Sequence, residues 1–345
     1  MRTAWFALLV TVAAVAVAPV SRGASKVETV VTDVEVPWAL AFAPDGRLFF
    51  TERAGRLRVV IEGKLAAEPV ARLAVWASVE AGLMGLALDP DFARNGHLYV
   101  CYTTARGRGA INRIARLVLH GSRAGDERVL LDDMPAAGIH DGCRLKFGPD
   151  GKLYATMGDA ASPPRAQQRD SLSGKILRIE ADGSVPADNP FRGSPVWSLG
   201  HRNPQGLAWD AAGRLWESEH GSSAHDEINL IQPGHNYGWP DVRGRETRNG
   251  LIPPVLESGD ETWAPSGIAV LHGALYVAAL RGQRLLKIAI ADGKVGAVTA
   301  LLTNEYGRLR DVVAGPDGAL WVATNNRDGR GSPRAGDDRI LRVAP

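Results

Sequence analysis

Apolar and polar positions alternate along most of this chain in short runs, and one arrangement of them keeps returning. An apolar strand enters a tight turn, commonly built from Pro, Asp and Gly, and a second strand rich in Leu, Tyr, Trp and Val leaves it. The copies occupy residues 38–52, 82–103, 144–159, 206–221, 267–280 and 309–325. Pro-Asp-Gly between two alternating strands is hairpin chemistry, because Gly accepts the backbone twist that the turn demands. The last apolar residues before the turns are Phe42, Leu88, Phe147, Trp209, Val270 and Ala314, in steps of 46, 59, 62, 61 and 44 residues.

A unit of that size holds a hairpin and leaves room for two more strands. Third strands are predicted at 55–61, 112–119, 174–180, 226–231, 283–290 and 338–343, with 27–31 pairing beside the last to close a ring. The pattern predicts an all-β fold, a six-bladed β-propeller with four-stranded antiparallel blades, over residues 25–345. A solenoid is the structural alternative, but insertions of irregular length between the units suit blades better.

The first 24 residues follow a different rule. Arg2 is followed by a nearly unbroken apolar run from Trp5 to Val17 and then by small residues up to Ala24. This reads as a secretory signal peptide, too short for a stable membrane span, and implies a periplasmic or secreted protein. Its removal takes away Arg2 and Arg22, so the formal charge of +2 falls to zero. A neutral chain without a basic stretch gives no support for nucleic-acid binding. Cys101 and Cys143 either pair in that oxidising compartment or are two small buried side chains, and the sequence leaves both open.

Antiparallel hairpins bring the start of the first strand and the end of the second to the same side. If each first strand lines a central channel, these positions from six blades gather on one rim. They include Glu80, His140, Arg202, Asn203, Thr262 and Arg308 before the strands, and Glu52, Asp159, Glu219, His220, Arg281 and Asn325 after them. Arg202, Arg281, Arg308 and Arg310 crowd this rim, the last two on one face of a strand. Four converging guanidinium groups repel one another unless an anion with several carboxylates sits among them. The alternative is that each pairs with a neighbouring acid such as Asp311, Glu219 or Glu305. His140 is either a structural side chain or a base for a hydroxyl proton near neutral pH. His220 and His225, five residues apart in a Gly-Ser-Ser loop, are poorly spaced for zinc. The turn at Gly221-Ser222 exposes backbone carbonyls, which suit calcium.

These residues carry a resemblance. Gly200-His201-Arg202-Asn203-Pro204-Gln205-Gly206-Leu207, Glu219-His220-Gly221 leading to Asp226-Glu227-Ile228-Asn229, and Asn236-Tyr237-Gly238-Trp239-Pro240 occur in order. With His140 before Arg144-Leu145, Ala264-Pro265-Ser266-Gly267 and Arg308-Leu309-Arg310-Asp311, the chain resembles the soluble dehydrogenases of glucose, aldoses and sorbosone that depend on pyrroloquinoline quinone (PQQ). The resemblance implies that His140 is the catalytic base and that Arg202 polarises the quinone. It implies that Glu80, Asn203, Thr262, Arg281, Arg308 and Arg310 bind the cofactor, and that the carbonyls of Gly221 and Ser222 hold the catalytic Ca2+. It further implies oxidation of an aldose at its anomeric hydroxyl to a lactone, with electrons leaving for an external acceptor, a quinone or a cytochrome.

The chain departs from the family pattern at several places. Arg281 stands where some members have lysine, and Glu80 where the glucose-specific members have glutamine. Ser222 replaces a common proline, and Cys143 a common glycine. Asp141, beside the proposed base, is also unusual. Two other functions remain in view: a calcium-dependent lactonase on a similar propeller, and a sugar-binding propeller without chemistry. The arginine-rich rim argues against the first, and intact His140, Arg202 and Arg310 against the second.

Overall fold

The computed structural model describes residues 26–344; the expected signal peptide lies outside the described residues. Six antiparallel sheets are arranged around a central axis. The innermost strands, in chain order, are Pro37–Phe42, Leu83–Leu88, Leu145–Phe147, Pro204–Trp209, Pro265–Leu271 and Leu309–Ala314. Each packs against the next, and the sixth returns to the first, so the ring closes. In the first blade the outer edge is shared by two short strands, Lys64–Leu65 and Ala71–Arg72.

Closure follows the expected route. Val27–Val31 pairs antiparallel with Ile340–Val343, placing Val27 opposite Val343 and Thr29 opposite Leu341. The first strand of the described chain is therefore the outermost strand of the last blade, and it leaves that blade's third strand no free edge. Among the described residues no helix is long and apolar enough to cross a membrane.

The turns explain why the repeat was visible. Asp45, Asp150 and Asp317 each accept from the amide two residues on, at 3.1, 3.1 and 3.2 Å. The glycine between donor and acceptor is left-handed in all three, with φ of 87, 73 and 73° at Gly46, Gly151 and Gly318. Aromatic pairs then join neighbouring blades edge to face. Tyr99 meets Phe147 and Tyr154 meets Trp209, both at 5.0 Å between centroids, and Phe42 meets Trp321 across the closing seam at 5.2 Å. Such pairs add about 0.5–1.5 kcal/mol each beyond the area they bury.

A Cβ on Gly151 would meet no atom within 4 Å, so only its backbone angle resists substitution. Gly151→Ala should therefore lower stability by about 1–2 kcal/mol, and Gly151→Asn by clearly less, since Asn tolerates the left-handed region. Urea unfolding of the three proteins measures the difference.

Candidate active site

The connections between blades, unlike the tight turns, carry the polar residues. At their end of the channel lies a cavity of about 380 Å3 lined by Glu80, His220, Arg281, Arg308, Arg310 and Arg330, among others. His220 lies within range of the charges of Glu80, Arg310, Arg202 and His140, so residues from different blades surround one side chain. Burial pushes its imidazole down to about 3, which leaves it neutral at ordinary pH with a buried Nε2 that has no partner.

The arginines divide into two groups. Arg308 directs Nε and Nη2 to Asp328 Oδ2 at 3.0 and 2.8 Å, an acid other than the three the sequence suggested. Arg310 has no such counter-charge. Its Nη1 donates to Gln205 Oε1 at 2.7 Å, and Nε and Nη2 donate to the Asn325 amide oxygen, turned to face them, both at 2.9 Å. Burial pushes the Arg310 guanidinium down to about 9 despite the charge of Asp328. Arg202 donates Nη1 to the His220 carbonyl at 3.2 Å and lies over the Trp239 ring at 5.4 Å; burial lowers its pKa too. Arg281 is exposed at the lip of the cavity. Thr262, beside Trp263 at the entrance to the fifth blade, is half-buried and is not among the residues lining this cavity.

The acids that might have matched these arginines hold backbone instead. Glu219 Oε2 accepts from the amides of Arg202 and Asn203 at 2.7 and 3.3 Å, fixing the start of the fourth blade. Asn203 is buried, and its Nδ2 has no partner. Asp226 accepts from Gly221 N at 2.9 Å with one oxygen, and from Trp263 N and Ala264 N at 2.6 and 2.8 Å with the other. It thus ties the Gly221-Ser222 turn to the fifth blade, although burial pushes its carboxyl up. A Cβ at Gly221 would fall 2.1 Å from Ala224 O and 2.3 Å from His225 O, so the loop folds back with carbonyl oxygens around the glycine. An oxygen-rich turn is compatible with a hard cation.

His140 is oriented from both sides. Its Nδ1 lies 2.9 Å from Asp159 Oδ1, whose other oxygen accepts from Trp239 Nε1 at 2.9 Å. Its backbone N donates to Glu80 Oε2 at 3.0 Å, and Glu80 Oε1 pairs with Arg330. Asp159 was visible in the sequence as a rim residue but without a role; nothing in a single sequence marks it as the partner of His140. Asp141 turns away from its neighbour, accepting from Asn112 Nδ2 and Ala137 N at 3.0 and 3.1 Å, and burial pushes its carboxyl up to about 6.

Below the cavity, side chains meet across the channel. Arg144 pairs with Asp311 at 3.1 Å, donates Nε to Gln205 O at 2.8 Å, and lies 4.3 Å over the Trp38 ring. None of these cross-ring partners was legible, because each joins residues whose proximity depends on ring closure. His225 pairs with Glu257 at 2.9 Å and is not paired with His220. A buried group that could ligate a metal does exist among the described residues at His201, Glu217 and Glu219. Burial, together with the charges of Glu219 and other acids, raises the pKa of Glu217 and Glu227 well above the usual carboxylate range there.

With this geometry established, comparison with known proteins is decisive. Residues 34–341 match the family model for glucose/sorbosone dehydrogenases. The chain belongs to the glucose/sorbosone dehydrogenase family. An aldose sugar dehydrogenase of Escherichia coli K12 is 33% identical, over 92% of this chain and 92% of that protein. A PQQ-bound aldose sugar dehydrogenase structure from Streptomyces coelicolor is 41% identical, with a TM-score of 0.88, over 95% of this chain and 99% of that one. An oxidoreductase of Thermus thermophilus, described as a glucose dehydrogenase, is 47% identical with the same TM-score, over 92% of this chain and 99% of that one. Family membership makes a sugar oxidoreductase of this propeller.

The Glu80 carboxyl yields a test of how this rim is held. Burial raises its pKa, but His220, Arg330 and the His140 amide outweigh that and hold it at about 2, against an ordinary value of 4.5. Because His220 is neutral near pH 7, Arg330 and the amide carry the effect there. A folded-state pKa below the unfolded one stabilises at pH above about 4.5 and loses that stabilisation as pH falls towards 2. Glu80→Gln should lower stability at pH 7 by no more than about 3 kcal/mol, and the gap from the parent should close between pH 4.5 and 2. Denaturant titrations across that range read it.

Proposed function

We propose that the protein is an exported, PQQ- and calcium-dependent aldose dehydrogenase that oxidises the anomeric hydroxyl of a sugar to a lactone. The observation that carries this reading is Arg310, buried in the cavity wall without a carboxylate partner beside a His220 Nε2 that has no partner. Arg202 likewise has no carboxylate partner, and Asn203 Nδ2 has no partner at all. A buried cation without a counter-charge is strongly unfavourable, so such a site is built for an anion. A compact tricarboxylate meets that demand; a neutral sugar alone does not.

In this reading Arg281, Arg308, Arg310, Thr262, Asn203 and Glu80 surround the cofactor, and the carbonyls of Gly221 and Ser222 hold calcium. When bound, PQQ supplies a two-electron acceptor and calcium a Lewis acid. His140 does the proton chemistry. With Nδ1–H donated to Asp159, its Nε2 is the basic nitrogen and takes the hydroxyl proton of the sugar. Asp159 stabilises the imidazolium that results, and Trp239 keeps Asp159 in place. Arg202, beside the Gly221-Ser222 turn, directs positive charge toward the cofactor while its backbone is fixed by Glu219.

A lactonase would need carboxylates free to hold a metal at the cavity. Glu80, which lines it, is engaged by the His140 amide and Arg330. Export is supported by the expected leader and by the Cys101–Cys143 disulfide, a bond that persists in oxidising compartments. An external acceptor, a quinone or small cytochrome, completes the reaction.

The test is reconstitution of the purified protein with PQQ and Ca2+, followed by assay of glucose, other aldoses and sorbosone with an artificial dye. Turnover that requires both additions supports the proposal; cofactor binding with no sugar oxidised defeats it. His140→Ala should reduce kcat by at least about a hundredfold while cofactor affinity stays within about tenfold. Arg310→Ala should do the reverse, weakening PQQ by more than about tenfold through loss of a charge-assisted contact.

A further inference from the structure

Cys101 and Cys143 form a disulfide, and both residues are wholly buried. Cys101 belongs to His97–Arg106, the second strand of the second blade, held on one side by Leu83–Leu88 and on the other by Gly109–His120. Cys143 belongs to the segment 136–144, which lies outside any strand and carries His140. The bond therefore crosses from the firm interior of one blade to the connection that carries His140.

That connection does not support its own shape. His140, Gly142 and Cys143 are all left-handed, with φ of 57, 65 and 72°, and two of the three are not glycine. An L-residue in this region is strained unless its surroundings enforce it. Part of the enforcement comes from the second blade. Asn112 lies opposite Thr103 on the second blade and donates to Asp141 at 3.0 Å; Cys101, two residues before Thr103, is bonded to Cys143. The second blade thus grips the connection at positions 141 and 143, immediately after His140. The other ties come from the loop of Glu80, which accepts from the His140 amide and donates its own to Gly138 O at 2.9 Å, and from the third blade, where Ala160 N donates to His140 O at 3.1 Å, Asp159 meets the His140 ring and the Cys143 amide donates to Thr156 O at 2.5 Å.

We propose that the Cys101–Cys143 disulfide is a positioning brace for His140, setting its place against Asp159. This deepens the dehydrogenase reading above and rests on it for the kinetic outcome. Because both sulfurs are buried, thiol exchange requires local opening, so the bond is a standing brace and not a switch. It touches neither substrate nor cofactor and acts only through the backbone of 140–143.

Non-reducing peptide mapping of the native protein comes first; free thiols at both positions would overturn the proposal. The Cys101→Ala/Cys143→Gly protein then removes the bond while giving position 143 a residue suited to its φ. Cys101→Ala/Cys143→Ala keeps a side chain there and serves as the second variant should the first not fold. With PQQ and Ca2+ bound and titrated, kcat per bound cofactor should fall between about ten- and a hundredfold while KM stays within about threefold. The acid limb of the kcat–pH profile should move as well, since the His140–Asp159 contact loosens. Hydrogen exchange in 137–143 should quicken, with the strand His97–Arg106 unchanged. An unchanged kcat and pH profile alongside a lower melting temperature would make the bond a stabiliser only and overturn the inference. If the native protein binds no PQQ or oxidises no sugar, the dehydrogenase reading falls on its own. The exchange measurement then judges the brace, and unchanged exchange in 137–143 overturns it.

Discussion

A guanidinium buried without a counter-charge is the constraint on which the rest of this molecule turns. Arg310 sits deep at the channel mouth, bonded to amide oxygens and a serine hydroxyl and lying over the Trp38 ring, with no carboxylate bonded to it, and burial has pushed its pKa down to about 9. A folded protein keeps such a group only where surrounding structure compels it. Here the compulsion is the inner strand Leu309–Ala314, packed between the fifth and first blades. Arg308 lies just before that strand and Arg310 is its second residue, either side of the buried Leu309, and both arginines line the cavity.

The acids at the rim could have neutralised these arginines and mostly do not. Glu219 and Asp226 accept from backbone amides, Asp159 from a histidine and a tryptophan, and Asp311 from Leu40 N and Arg144 below the floor. Carboxylate-to-amide bonds are short and directional, so they fix the loops in which the chemistry resides. Negative charge is thus used as scaffold while positive charge stays available to a ligand. Arg308 and Arg330 are the exceptions, paired with Asp328 and Glu80; these partners make them partly structural and weaker contributors to anion binding than Arg310.

The fold was legible because the feature that repeats, Asp-Gly in a left-handed turn, is set by local sterics and leaves a mark in single residues. The rim was legible for a geometric reason: antiparallel strands return to the side they started from. His140, Arg202, Asn203 and Arg310 could therefore be grouped from positions alone. Partners that meet only after closure could not. Arg144 and Asp311 are 167 residues apart in sequence, and Asp328 lies in a loop with no periodic signal. The disulfide was undecided for the same reason, since the proximity of Cys101 and Cys143 is a property of the contact between the second and third blades.

The two ends of the channel differ because they are made by different kinds of connection. At one end tight turns dominate, where Asp and Gly are required by backbone geometry and little sequence is free to carry chemistry. The cavity there is lined largely by apolar side chains such as Leu40, Phe42, Leu86 and Phe147. The other end is formed by longer links between blades, which the ring positions without dictating their residues. Cationic donors, oriented histidine and carbonyl-rich turn all occur at that end. Trp38, Arg144 and Asp311 pack beneath Arg310, whose guanidinium lies 5.5 Å from the Trp38 ring centroid, so a ligand at the polar mouth meets a floor of packed side chains. That floor also lowers the local dielectric beneath Arg310, and the same burial that makes the empty charge unfavourable strengthens its hold on an anion.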